Sequence, residues 1–376
     1  MTTAIITREA ALELCLQRVR DNIPAFNGQF PFIGEGDSLI LGENDHWMTS
    51  FWTGEIWLAY AITGDDFYRH AAEAHLDSFR QRLADNVHIN HDLGFLFLLT
   101  ARAQYMLTAN EDARTLALEA ADRLLERYNS NGEYIQAWHE IGHPTEHGRF
   151  IVDCMMNIPL FYWASEQTGD PRYAEAANGH ARTTRRYIIR PDGSTCHSFF
   201  MNPETGEPVG PSTVQGYADD SLWSRGQAWA IAGFAMAAEW SGDADFLAAS
   251  QETADRFLAE ITPDYVPLWD FRLPADEPQT LDTSAAAIAA CGLMRLADLL
   301  EGEDAKRYRV AANRLIDAQL AAAFDPAETG VQGLLQNGSY HANKPEWAER
   351  YTLFGDYFFM EALTWLTGHD VDFWGR

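Results

Sequence analysis

Cysteine is scarce in this chain, and the four present are scattered. Cys15, Cys154, Cys196 and Cys291 lie far apart with no Cys-x-x-Cys spacing. That pattern argues against a metal ribbon or a disulfide framework and predicts reduced, mostly buried thiols in a cytoplasmic protein. Basic residues are also few: 27 Lys and Arg stand against 55 Asp and Glu, for a formal net charge of −28. A field of that sign opposes encounter with nucleic acid or an anionic membrane, so neither is an expected partner. It says little about a small ligand, whose affinity depends on the local field inside a pocket. No run of about 18 uninterrupted apolar residues occurs, which excludes a membrane-spanning helix. The opening Met1-Thr-Thr-Ala-Ile-Ile-Thr-Arg-Glu-Ala10 has no basic stretch followed by a long apolar one, so no secretion signal is expected. Linkers and composition breaks are missing too, and residues 1–376 read as one domain. Oligomeric state is not legible.

What is abundant is apolar and aromatic. The apolar fraction is 47%, with 12 Trp, 14 Tyr and 21 Phe, which is ample for a large core and excludes disorder. Aromatics facing a cleft can also stack on sugar rings, although buried ones are commoner. A short polar phrase recurs: Thr63-Gly-Asp-Asp-Phe-Tyr68, Asn110-Glu-Asp-Ala-Arg114, Thr168-Gly-Asp-Pro-Arg-Tyr173, Ser241-Gly-Asp-Ala-Asp-Phe246 and Glu301-Gly-Glu-Asp-Ala-Lys-Arg-Tyr308. It is helix punctuation, with Gly ending one helix in the left-handed region and Asp capping the next. Before each phrase the chain is more apolar; after it comes an Ala-rich amphipathic stretch. Two concentric layers of helices need that alternation.

Helices are predicted near 7–22, 51–62, 66–84, 93–108, 111–128, 150–166, 171–188, 224–240, 243–261, 281–300, 304–323 and 352–367. Paired as six hairpins of uneven length with long loops, they predict an all-α fold, an (α/α)6 barrel closed into a toroid. Tyr134-Ile-Gln-Ala-Trp138 reads as a short strand-like piece.

Polar and Trp residues gather where loops meet helices, the places that line one mouth of a toroid. Asp92 and Asp153 stand out there, because each sits in a stretch otherwise patterned for burial, and an ionised carboxylate is costly to bury. They read either as an acid/base pair or as buried carboxylates pinning helices. Arg225 and Gln227 could contact a ligand or cap and pair; His197 could be catalytic or structural. His88, His91 and Asp92 suggest a metal cluster at first sight, yet no further ligand lies nearby, so no metal site and no cofactor is expected.

Taken together, the markers resemble the unsaturated glucuronyl hydrolases, glycoside hydrolase family 88. They run through nearly the whole chain: Asp45-His-Trp47, Phe51-Trp-Thr-Gly54, His91-Asp-Leu-Gly-Phe95, Ile135-Gln-Ala-Trp138, Asp153-Cys154 with Asn157, Trp223-Ser-Arg-Gly-Gln-Ala-Trp229, Asp282-Thr-Ser-Ala285, Gly338-Ser-Tyr-His341 and Gly355-Asp-Tyr357. The resemblance implies release of a 4,5-unsaturated uronic acid from lyase-generated oligosaccharides, by hydration of the C4=C5 enol ether. It implies Asp153 as general acid/base and Asp92 as its partner. Trp47, Trp138, His197, Gln215, Arg225 and Trp229 would surround the sugar, with Arg225 offsetting its carboxylate. Two segments depart from the family pattern. Ala218-Asp-Asp-Ser221 stands where Asp-Gly before Ser is expected. Ser339-Tyr-His-Ala-Asn-Lys344 partly matches a sulfate-binding segment, keeping Ser339 and Lys344 but carrying Ala342 in place of a second Ser. The alternatives are an unsaturated rhamnogalacturonyl hydrolase, an α/α-barrel sugar epimerase and a non-enzymatic helical scaffold.

Overall fold

The computed structural model describes residues 6–327 and 330–376; of the opening segment read for a secretion signal, residues 1–5 lie outside them. Helices dominate the chain: α1 (Arg8–Phe26), α2 (Thr49–Thr63), α3 (Asp66–Glu73), α4 (Leu76–Ala84), α5 (Leu93–Phe97), α6 (Ala103–Thr108), α7 (Glu111–Leu125), α8 (Pro159–Thr168), α9 (Pro171–Tyr187), α10 (Ser224–Ser241), α11 (Ala244–Glu260), α12 (Thr283–Asp298), α13 (Gly302–Ala322) and α14 (Leu353–Leu366). Strands are short: β1 (Phe30–Glu35), β2 (Ser38–Gly42), β3 (Tyr128–Asn129), β4 (Tyr134–Ile135), β5 (Arg149–Ile151), β6 (Ser198–Met201) and β7 (Pro208–Ser212).

The recurring phrase punctuates as expected. Gly64, Gly169 and Gly242 end α2, α8 and α10 in the left-handed region, and the next residue, Asp65, Asp170 or Asp243, accepts a backbone N–H of the following helix. The fifth copy differs, since Glu301 makes no side-chain cap on α13. Helices before a phrase form an inner ring and those after it an outer ring. Inner α10 is buried from Ser224 through Ala238, whereas outer α9 buries one face through Tyr173, Ala176, Ala177 and His180. Around the inner ring α2 meets the α5–α6 helix, then come α8, α10, α12 and α14, and α14 returns to α2. The chain is an all-α toroid of six helical hairpins.

Three expected helices change form. The helix expected over 66–84 breaks into α3 and α4. That over 93–108 is interrupted by a π-helical turn, Leu98–Arg102, which turns buried Arg102 toward the Phe373 and Gly375 carbonyls. The largest correction concerns 150–166. There, β5 leads into a 3-10 turn, Val152–Met156, and α8 begins only at Pro159. Proline lacks an N–H and disfavours helix before it, so it opens α8 instead of lying inside it. This break carries functional weight. β5 pairs antiparallel with β6 (Ile151 opposite Ser198), and the Val152 N–H donates to the His197 carbonyl, setting Asp153 beside His197.

No helix among the described residues is long and apolar enough to cross a membrane. All four cysteines are free and buried.

Candidate active site

Two tryptophan-bearing loops frame one mouth of the toroid, and each is held by a buried arginine. Arg82, on α4, donates to Asn44 Oδ1 (3.0 Å) and to the carbonyls of His46 (2.7 Å) and Val87 (3.1 Å), which fixes the loop carrying Trp47. Arg127, just after α7, reaches the carbonyls of Gln136, Ala137, Trp138 and His139 at 2.8–3.0 Å. A guanidinium presents several donors in a fixed fork, so one side chain can satisfy a whole turn of loop backbone. Both indoles stay half-buried. Trp47 stacks on Phe354, with centroids 5.2 Å apart, while Trp138 lies edge-on to His91 and His197, 5.9 Å from each.

Asp92 precedes α5 and Asp153 lies in the 3-10 turn, so the two carboxyls come from different hairpins. What unites them is a close backbone approach. A β-carbon on Gly94 would lie 2.3 Å from the Asn157 α-carbon. Asn157 then ties both segments, accepting the Phe95 N–H at 2.7 Å and donating to the Asp153 carbonyl at 3.3 Å. Gly233 of α10 does the same from the other side, where a β-carbon would lie 2.4 Å from Met155 Cβ. Any larger residue at either glycine would push the aspartate-bearing segments apart.

Each aspartate faces a histidine. His91 Nδ1 accepts the Trp138 N–H (3.2 Å) and its Nε2 lies 3.1 Å from Asp92 Oδ1. His197 Nδ1 accepts the N–H groups of Val214 (3.0 Å) and Gln215 (3.3 Å), and its Nε2 lies 4.0 Å from Asp153 Oδ1. A neutral imidazole has one donor and one acceptor, so backbone N–H groups at Nδ1 put the proton on Nε2 in both rings. The His91 N–H thus lies beside Asp92. His197 points its N–H at Asp153 without reaching it, and both Asp153 Oδ1 and His197 Nε2 are buried without a hydrogen-bond partner. Unpaired buried polar atoms are costly. Two aimed at one spot mark where a reacting group fits.

Burial governs the protonation states. Asp92 is 6% and Asp153 8% exposed. Burial raises both carboxyls to about 7; the Asp153 charge adds to the rise at Asp92 while Arg82 opposes it, and Arg225 opposes the rise at Asp153. Burial also pushes His197 down to about 3 and His91 well below its ordinary value, so both rings are neutral. A carboxyl that keeps a proton near neutrality, beside a charged partner, can act as an acid toward a weakly basic carbon.

The other expected site residues divide. Gln215 joins the site: its N–H meets His197 and its Oε1 accepts from Arg225 at 2.6 Å. Arg225 is almost wholly buried and pairs with Asp282 (2.7 Å), while also donating to the carbonyls of Ser339 and Tyr340. Its charge has a partner in Asp282, and its bonds hold three loops together. Trp229 is fully buried against Phe95 and Phe358, and its Nε1 has no hydrogen-bond partner. Ser339 Oγ donates to the Leu281 carbonyl and accepts the Glu349 N–H, which makes it a loop clasp. Lys344 is exposed at the rim, its ammonium 4.0 Å from the Trp347 ring centroid. The departing Ala218–Ser221 segment is held in its own way: Asp219 accepts the Thr213 N–H, and Ser221 donates to buried Asp270. The suspected metal cluster is not assembled. His88 is exposed, His91 Nδ1 is taken by the Trp138 N–H, and no group of three or more His, Cys, Asp or Glu among the described residues is arranged to hold an ion.

The sequence profile of Glycosyl Hydrolase Family 88 matches residues 35–325. The chain belongs to that family. It is 40% identical to an unsaturated glucuronyl hydrolase of Bacillus sp. (strain GL1) over 94% of this chain and 95% of that one. To an unsaturated chondroitin disaccharide hydrolase of Streptococcus pyogenes serotype M1 it is 36% identical, over 94% and 89%. The crystal structure of an unsaturated glucuronyl hydrolase from Bacillus sp. GL1 superposes with a TM-score of 0.94 at 38% identity, covering 96% of this chain and 97% of that one. This family 88 chain is a glycoside hydrolase.

Sequence reasoning gave no role to several residues that build this family 88 site. Asn157 and Asp282 stood among the markers without one. Tyr340, also inside a marker, lies within the influence of both carboxyls and bonds toward Trp47. Arg82, Arg127 and Asp270 carry no local signal, because an arginine's distant carbonyl partners are invisible along the chain.

Proposed function

We propose that this enzyme removes the 4,5-unsaturated uronic acid from the non-reducing end of lyase-generated oligosaccharides, glycosaminoglycan-type disaccharides above all, with Asp153 as acid and base. The single observation that carries this reading is the facing pair of unpartnered atoms, Asp153 Oδ1 and His197 Nε2, 4.0 Å apart beside Trp138. Relationship to glucuronyl and chondroitin disaccharide hydrolases supports the substrate class.

The substrate is an enol ether, since its C4=C5 bond adjoins the ring oxygen. Asp153 gives its proton to C4 and C5 takes on oxocarbenium character. The Asp153 carboxylate then takes a proton from water as the hydroxyl adds at C5, which returns the acid form. The hemiketal opens and the neighbouring sugar departs. Because the glycosidic bond breaks indirectly, the rule linking carboxyl separation to retention or inversion does not apply. Asp92, beside the His91 ring, is the neighbouring carboxylate whose negative charge would favour the proton on Asp153. The half-buried Trp47 and Trp138 offer faces for the sugar rings, and the His197 N–H is aimed where an uronyl oxygen can accept it. Exposed Lys344 is the proposed contact to the aglycone.

Residues 1–376 act in this proposal as one catalytic domain. The free, buried cysteines support a reducing, cytoplasmic setting. The test is the loss of ultraviolet absorbance of the conjugated C4=C5 bond across unsaturated hyaluronan, chondroitin, heparin and gellan-type fragments. Decay is expected, and its ranking identifies the aglycone and its sulfation. Absence of decay on all four would overturn the proposal.

A further inference from the structure

Asp282 is a fully buried carboxylate outside the Asp92–Asp153 pair, and it takes donors from three segments of the mouth. Its Oδ2 accepts from Arg225 Nη1, on α10, at 2.7 Å. Its Oδ1 accepts the Ser284 N–H (3.2 Å) and hydroxyl at the start of α12, and the Ser339 N–H (3.1 Å) in the loop before α14. The side chains of the ion pair are 1% and 0% exposed, and at such burial desolvation offsets much of the Coulomb attraction. Stability alone is therefore a poor reason for the pair. The guanidinium is packed on two rings, 4.6 Å from the Trp223 centroid and 4.8 Å from that of Phe354. Trp223 lies 4.6 Å from the His197 ring, and Phe354 stacks on Trp47. Held there, Arg225 commits Nη1 to Asp282 and the Ser339 carbonyl, and Nη2 to the Gln215 side chain and the Tyr340 carbonyl.

Arginine only donates, so the Gln215 atom that meets Nη2 at 2.6 Å is the oxygen Oε1. The amide NH2, a pair of donors, is thereby turned away from Arg225. The Gln215 backbone is fixed as well, with its N–H on His197 Nδ1 at 3.3 Å. We propose that Asp282 is a positioning residue for substrate binding: it aims Arg225, and Arg225 orients Gln215 so that its NH2 donates to an oxygen of the uronyl group beside His197. The inference rests on the hydration reading above and assigns the relay that presents one of its donors. A carboxylate oxygen only accepts, so the way this amide faces decides whether Gln215 attracts or repels it.

Asp282 and Gln215 share no bond, so a double-mutant cycle separates a relay from independent effects. Gln215→Ala should raise KM about 10-fold with kcat within about 3-fold, the signature of lost uniform binding. Asp282→Asn should raise KM at least as much. The double variant should match the worse single variant within about 2-fold, because Gln215 is no longer presented once Arg225 is released. Ser284→Ala keeps the Asp282 charge and removes one bond to it, so it serves if Asp282→Asn fails to fold. It should raise KM about 2- to 4-fold and add nothing in the Gln215→Ala background. Multiplied KM effects in these cycles, or a loss confined to Tm, would overturn the proposal. A second arm needs no substrate. The nitrogen-15 side-chain resonances of Gln215 should be sharp in the wild type and shifted or broadened in Asp282→Asn and Ser284→Ala; resonances unchanged by these substitutions would also overturn it. Wild-type decay of the C4=C5 absorbance tests the hydration reading by itself, so the two failures are distinguishable.

Discussion

The two histidine–aspartate pairs in the mouth follow one plan and end in different states. Both rings are buried and neutral, and both accept backbone N–H groups at Nδ1. His91 closes on Asp92 at 3.1 Å, whereas His197 stands off Asp153 at 4.0 Å. The closed pair comes from adjacent residues of one loop. The open pair comes from the same end of two antiparallel strands, where Asp153 follows β5 and His197 precedes β6. Strand register fixes their separation and leaves space for a third group. A closed pair stabilises a charge; an open one has room to react. Similar residue types thus take unequal roles because different backbone carries them.

The largest test of this contrast exchanges the carboxyls one at a time. Asp153→Asn should lower kcat by about 1000-fold or more with substrate affinity within a few-fold, because the acid is gone while the walls remain. Asp92→Asn should cost about 100-fold and also move the alkaline limb of the pH–rate profile to lower pH. Removing a neighbouring negative charge makes Asp153 easier to ionise, so the acid form is lost earlier as pH rises. Equal effects of both kinds from both variants would erase the proposed division of roles.

Separating the pairs comes next. Gly94→Ala should lower unfolding stability by about 1–3 kcal/mol in denaturant titration, because its β-carbon meets backbone at Asn157 that has no flexible end to move. It should reduce kcat beyond that loss of folded protein, since the Asp92 loop must shift away from Asp153. An active, fully stable Gly94→Ala enzyme would show that the close approach is not required.

The smallest effect belongs to a buried carboxyl outside the comparison. Glu361 accepts hydrogen bonds from Tyr357 and Trp374 at the far end of the barrel, and burial raises it to about 8. A cavity of about 720 Å³ at that end, lined by Glu239, Arg295 and Trp365, shares no residue with the catalytic pair. The folded state holds the Glu361 proton to higher pH than the unfolded chain does. Its contribution therefore favours folding below about 4 and is lost progressively as pH rises to about 8. Glu361→Gln should leave kcat unchanged and flatten the fall in Tm between those pH values relative to wild type. A kcat loss comparable to that of Asp92→Asn would contradict the separation of the two ends.

Much of the ring was legible because helix punctuation is local. Gly64, Gly169 and Gly242 with the aspartates that follow them announce helix ends without any tertiary information. Asp92 and Asp153 were legible as carboxyls in apolar surroundings, and their roles came from family resemblance. Their geometry was not legible. Pro159 signals a helix start, yet the strand pairing that delivers Asp153 to His197 depends on a segment nearly fifty residues onward. Trp229, Arg225 and Ser339 were expected around the substrate from family resemblance; their contacts here, Trp229 with Phe95 and Phe358 and the other two with distant loops, were not legible because the sequence cannot align those segments. Arg127 and Asp270 act through distant backbone and had no signal to read.

The most direct measurement is isotopic. With substrate turned over in deuterium oxide and quenched early, the account predicts one solvent deuterium at C4 of the released uronic product, appearing with loss of the C4=C5 absorbance and depending on Asp153. Release of the aglycone with the C4=C5 bond intact and no deuterium at C4 would contradict it.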